Sequence, residues 1–135
     1  MEKRKILIID DEASFTRLLK LNLEQSGKFE VRTENRGSQA VQTARAFKPD
    51  LILLDIIMPD MDGSEVANRL KSEPVTKDTP ILFLTALVKD QEVESKSGTI
   101  GGHIFLAKPI TTDELITNIE KTLEESPDKS DLKVV

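Results

Sequence analysis

The sequence predicts an α/β fold: a parallel sheet buried on both faces, with helices packed above and below it. Two observations carry that expectation. Four short apolar runs without polar alternation, at residues 5–9, 51–54, 81–84 and 104–107, read as strands with no solvent-facing side. Each is followed at once by residues capable of chemistry: Asp10 and Asp11, then Asp55, then Thr85, then Lys108. Strands of one parallel sheet deliver such residues to a single carboxyl edge, where open α/β sheets place their sites. Three carboxylates, a hydroxyl and an ammonium gathered there suit a divalent cation and a phosphoryl group.

The elements alternate along the chain. After the first strand, residues 12–26 carry Phe15, Leu18, Leu19 and Leu23 at helical spacing, and Gly27 supplies a stop. Residues 29–33 make a short second strand. Residues 37–47 then place Ala40, Val41, Ala44 and Phe47 on one stripe that Pro49 ends. The third strand runs into the turn-rich stretch Met58-Pro59-Asp60-Met61-Asp62-Gly63, with Ser64 expected to cap a third helix whose inner face is Val66 and Leu70. Residues 72–80 are a polar connection. Residues 88–97 support only a short, weakly anchored fourth helix: Val93 is the sole interior apolar residue, and Gly98, Gly101 and Gly102 come close behind. A helical glycine costs about 1 kcal/mol relative to alanine, with little apolar surface here to offset it. The last helix is the best marked, because Thr111 and Glu114 have capping-box spacing ahead of Leu115, Ile116, Ile119 and Leu123. A repeat of this kind requires right-handed crossovers and helices on both faces. The expected division is one domain over residues 1–125, with 126–135 a disordered tail or a truncated linker.

Composition excludes several chemistries. There is no cysteine, hence no disulfide framework, thiol nucleophile or thiolate zinc site, and the single histidine, His103, cannot build a histidine metal centre. A net charge of -5 argues against a nucleic-acid surface on this chain. No apolar stretch approaches the ~18 residues needed to span a bilayer, and the basic start runs into a strand pattern rather than a signal-peptide core, so a cytoplasmic location and no membrane partner are expected.

The residues Ile8-Ile9-Asp10-Asp11-Glu12, Leu53-Leu54-Asp55-Ile56-Ile57-Met58-Pro59 with Asp62-Gly63 behind them, Thr85-Ala86 and Lys108-Pro109 together resemble the receiver domain of two-component response regulators. The likeness covers about residues 4–125, and the joint spacing of four motifs is more specific than any one of them. It implies a flavodoxin-like, doubly wound sheet of five parallel strands in order 2-1-3-4-5. It also implies roles. Asp55 corresponds to the phosphoacceptor, whose carboxylate attacks a phosphohistidine on a partner histidine kinase or phosphotransfer protein. Asp11 corresponds to the direct Mg²⁺ ligand, Asp10 to its water-bridged neighbour, and Ile57 to a ligand through its backbone carbonyl. Lys108 pairs with the phosphoryl oxygens, Thr85 turns toward them, and Phe105 is the aromatic switch that rotates in response. The readout face would be the fourth helix, fifth strand and fifth helix, meeting a downstream protein, an output domain or a second copy of the chain. Such a domain is a phosphoacceptor rather than an enzyme with a separate substrate. Ile57 and Leu87 flank the path of the hydrolytic water, and neither can orient it, which predicts a long-lived phosphorylated state.

Each residue alone has a plain structural reading: the acidic pair as a helix cap, Thr85 and Lys108 as solvated strand ends, Phe105 as core. Asp60 and Asp62 read as turn residues, and His103 as an exposed strand start. Only the set of Asp10, Asp11, Asp55, Thr85 and Lys108 favours function, since converging carboxylates repel one another unless a cation joins them. A dehalogenase-type phosphatase needs a second aspartate two residues after its nucleophile, where this chain has Ile57, and places its acidic pair last rather than first. A phosphorylation-independent scaffold of the same fold would be favoured if a site residue were missing, and none is. A phosphate-binding-loop enzyme lacks its glycine-rich motif here.

Overall fold

The computed structural model describes residues 3–85, 97–100, 103–107 and 110–125. In chain order the elements are β1 (Arg4–Ile9), α1 (Ala13–Gln25), β2 (Phe29–Glu34), a 3-10 turn (Gly37–Gln39) leading into α2 (Ala40–Phe47), β3 (Leu51–Leu54), α3 (Gly63–Ser72), β4 (Ile81–Thr85), β5 (Ser97–Ile100), β6 (His103–Ala107) and α4 (Thr112–Glu125). The sheet order is β2-β1-β3-β4-β6-β5. Its first five members pair in parallel, in the order the resemblance implies.

The apolar runs produce two cores because successive strand side chains face opposite ways. Leu7, Ile9, Ile52, Leu54, Ile81 and Phe83 meet α2 and α3 through Ala40, Ala44, Phe47, Val66 and Leu70. Ile6, Ile8, Leu51, Leu53, Leu82 and Leu84 meet α1 and α4 through Leu19, Leu23, Leu115 and Ile119. Burial on both faces is why β1, β3 and β4 lack polar alternation, whereas β2 alternates buried and exposed residues.

Three details differ from the sequence expectation, and one expected element lies almost wholly outside the described residues. The sheet has a sixth strand, β5, running antiparallel to β6 with Ser97 opposite Leu106 and Ile100 opposite His103. The Thr99-Ile100 pair suits a pleated edge, and an edge strand needs only one partner. The fourth helix expected at 88–97 falls on residues outside the described ones, except for Ser97, which begins β5. Leu18 points away from the core at 55% exposure, and Thr16 takes the inward position on α1. The cap of α3 is Asp62 rather than Ser64: Asp62 Oδ1 accepts from the Ser64 backbone N–H at 3.0 Å and from its hydroxyl at 3.1 Å.

Other signals stand as expected. The Thr111–Glu114 box forms reciprocally, with the Thr111 N–H donating to Glu114 Oε1 and the Glu114 N–H donating to Thr111 Oγ1, both at 3.1 Å. Gly27 ends α1 at φ 79°. Along the outer edge of β2, the Val31 carbonyl accepts from Lys20 Nζ at 2.8 Å and the Val31 N–H donates to Glu24 Oε2 at 3.1 Å. Lys20 and Glu24 are themselves paired on α1 at 3.0 Å.

Candidate functional site

Strand order reverses between β1 and β3: the chain leaves β1 for β2 on one side and returns for β3 on the other. A crevice opens at such a switch point beyond the carboxyl ends. Because Ile9 pairs with Leu54, one further residue on each strand brings Asp10 beside Asp55. The ladder continues that far, with the Asp55 N–H donating to Ile9 O at 2.9 Å and the Asp10 N–H donating to Glu34 O at 3.1 Å. Asp10 and Asp55 are buried, at 2% and 8% exposure, while Asp11 lies open to solvent. Each offers a carboxylate oxygen, and these oxygens lie within 4.8 Å of one another. Asp10 Oδ1 also accepts from the Glu12 N–H at 3.0 Å, which fixes one oxygen of that carboxylate at the start of α1.

The loop after Asp55 is held at its base. The Gly63 N–H donates to Ile56 O at 2.6 Å, and a Cβ at Gly63 would stand 2.2 Å from the Asp55 carbonyl oxygen. Only glycine permits that approach. Met58 is buried against the α2–α3 core, whereas the neighbouring Ile57 side chain is 55% exposed. Asp60 reaches sideways to the start of the 3-10 turn, where Oδ1 accepts from the Gly37 N–H at 3.2 Å and Oδ2 from the Ser38 N–H at 3.0 Å. The Ser38 amide, with a smaller contribution from Gly37, holds the Asp60 carboxyl below its ordinary range against an opposing desolvation.

Thr85 closes β4 and pairs with Ala107 of β6, so both strands end at the same edge. Phe105 lies in β6 opposite Phe83. Lys108 and Leu87 fall outside the described residues. Among the described residues, the structure therefore joins the three carboxylates and places Thr85 at the end of the adjoining strand.

An all-oxygen set of three converging carboxylates fits a hard divalent cation and offers nothing to a soft one. Asp60 was legible only as a turn residue beside the site, and Asn35 was not legible as a site neighbour. Asn35 Nδ2 donates to Asp10 O at 2.7 Å and to Thr16 Oγ1 at 3.0 Å, a contact with no sequence spacing to announce it.

Comparison with known proteins gives the class. A family model for the response regulator receiver domain matches residues 6–120. The chain is 39% identical over 124 residues to the alkaline phosphatase synthesis transcriptional regulatory protein PhoP of Bacillus subtilis (strain 168), covering 91% of this chain and 50% of that one. It spans about half the length of the curated relatives it matches. The Vibrio cholerae chemotaxis protein CheY4 superposes with a TM-score of 0.76 at 28% identity, covering 89% of this chain and 98% of that one. The receiver domain of sensor histidine kinase PA1611 from Pseudomonas aeruginosa PAO1, solved with magnesium in its active-site cleft, superposes with a TM-score of 0.74 at 26% identity, covering 91% and 99%. The chain belongs to the receiver domain family of two-component response regulators. It is a phosphoacceptor module of two-component signal transduction. No helix among the described residues is long and apolar enough to cross a membrane.

Proposed function

We propose that Asp55 is the residue phosphorylated, and that the convergence of Asp10, Asp11 and Asp55 at the carboxyl edge is the observation that carries this assignment. A carboxylate oxygen of Asp55 attacks the phosphorus of a phosphohistidine on a partner kinase or phosphotransfer protein. The P–O bond forms as the P–N bond breaks, and the imidazole leaves with its electron pair. Burial of Asp55 against Asp10 keeps the nucleophile fixed at the end of β3 rather than swinging in solvent. Asp11 would hold Mg²⁺ directly, with Asp55 and the Ile57 carbonyl, while Asp10 would act through water. When bound, the ion neutralises charge on the transferring phosphoryl oxygens. Lys108 supplies a further positive charge, and Thr85 a hydroxyl that bonds the product.

The domain at work is residues 1–125, in the cytoplasm, with 126–135 as tail or linker. It acts as a phosphoacceptor that promotes its own phosphorylation and dephosphorylation. Its output is a rearrangement of the face around β6 and α4 once Thr85 moves and Phe105 rotates with it, presented to a downstream protein, an output domain or a second copy. Neither nucleic acid nor a membrane is engaged by this chain.

Incubation with Mg²⁺ and acetyl phosphate should add one phosphoryl mass, and Asp55→Asn should abolish it. Undiminished labelling of Asp55→Asn overturns the assignment.

A further inference from the structure

We infer that residues 34–38 form a strut fixing the separation between Asp10 and the phosphoacceptor loop, with Asn35 and Asp60 as positioning residues at its two ends. This rests on the metal-site reading above.

At one end, Asn35 Nδ2 holds the Asp10 carbonyl at 2.7 Å, and the Asp10 N–H returns a bond to Glu34 O at 3.1 Å. At the other end, the Gly37 and Ser38 N–H groups are taken by the Asp60 carboxylate at 3.2 and 3.0 Å. Only Arg36 separates the two grips, and its own N–H donates to Glu34 Oε2 at 3.1 Å. Glu34 Oε1 is tied to Thr43 Oγ1 of α2 at 2.5 Å, which seats the strut on a helix. Gly37 lies flush against the loop: a Cβ there would come within 3.0 Å of Met61 Cβ.

The loop needs such an outside hold. Ile57, whose carbonyl is the assigned ligand, has its side chain 55% exposed and so gains little anchoring from packing. Its main chain is located by the Gly63 N–H on the neighbouring Ile56 O, by the buried Met58 side chain and, beyond Pro59, by Asp60. Without the Asp60 bonds, the carbonyl and the acidic pair sit on separate loops with no hydrogen-bonded path between them through residues 34–38. Partners that orient metal ligands without touching the ion commonly change affinity about 10–100-fold when removed.

Calorimetric titration of Mg²⁺ into the full chain separates positioning from general stability. Asp60→Ala should bind Mg²⁺ about tenfold more weakly. Asp60→Asn should fall between Asp60→Ala and wild type, because its one amide oxygen can accept from only one of the two N–H groups and its NH2 faces the other. Asn35→Ala should weaken binding similarly, and the double variant Asn35→Ala with Asp60→Ala no further than the weaker single, as for one unit broken at either end. Metal-free melting temperatures of each variant give its folding cost. Mg²⁺ affinity of Asp60→Ala within about twofold of wild type overturns the strut, whatever its melting temperature. So does an Asp60→Asn as tight as wild type, which would mean that the paired grip of both oxygens is not needed, or a double loss equal to the product of the singles. The control is Asp11→Ala: if it binds Mg²⁺ like wild type, the ion sits elsewhere, the site reading fails, and the strut falls with it.

Discussion

Lys48 turns the chain left-handed at φ 55° just after α2, its N–H donating to Ala44 O at 2.8 Å. An L residue with a Cβ pays about 1–2 kcal/mol for that conformation, whereas glycine adopts it freely but loses more entropy on folding. Lys48→Gly should therefore stabilise the fold by about 0.5–1 kcal/mol, read as a higher urea midpoint at unchanged slope. A lower midpoint would mean that the lysine side chain contributes more than the strain costs. On the proposed assignment of Asp55, Ile57 and Leu87 bear on the lifetime of the phosphorylated state. Neither side chain can hydrogen-bond a water, so hydrolysis proceeds without that orienting contribution. Ile57→Asn with Leu87→Glu should shed phosphate faster than wild type in an autodephosphorylation assay, and equal rates would remove both from the account. Asp10, Asp11 and Asp55 were legible because an apolar strand run marks the polar residues at its carboxyl end. Asn35 was not, since its partner is a backbone carbonyl 25 positions away.

The helices show how local and long-range signals divide. The Thr111–Glu114 box could be read directly because both partners lie within one turn. Leu18 misled because leucine fits any helical stripe, while the inward place went to Thr16, whose hydroxyl accepts from Asn35 Nδ2 and donates to Ala13 O at 3.1 Å. Asp62 displaced Ser64 as cap because Gly63 presses against the Asp55 and Ile56 backbone, drawing the helix start toward β3. That contact makes Gly63→Ala a severe change: the added carbon overlaps the Asp55 carbonyl, the loop must move, and the loss should reach about 2 kcal/mol or more in chemical denaturation. Recovery of full stability would mean the loop has room that the 2.2 Å approach denies. On α1, the Lys20 ammonium, aided by the Val31 N–H, holds the Glu24 carboxyl below its ordinary value of 4.5. A depressed folded value means that the contribution is present above pH about 4.5 and is lost as pH falls through the lower folded value. Glu24→Gln should thus be less stable than wild type near neutrality, with the gap closing in acid melts. A gap that persists in acid, once the Glu24 carboxyl is protonated, would assign the loss to shape rather than charge.

Across the whole molecule, a cation bound to the folded acidic cluster and not to the unfolded chain raises stability by mass action, about 2.7 kcal/mol at a hundredfold excess over its dissociation constant. Mg²⁺ should raise the melting temperature of the wild type, and Asp11→Ala should lose most of that rise. Four of the five parallel strands were legible as plain apolar runs, whereas β2, Phe29–Glu34, alternates buried and exposed residues and was read as a short strand. The sixth was not: Ser97-Gly98-Thr99-Ile100 is too short and too polar to stand out, and its pairing with β6 depends on tertiary placement. At the opposite border the sheet stops at β2, where Lys20 and Glu24 occupy the outward carbonyl and amide of Val31. A newcomer strand laid along that border would have to break an ion pair and two hydrogen bonds before making its own, so the border is a poor template for growth. The same two side chains that secure α1 to its strand thereby oppose edge-to-edge zipping of copies along this border.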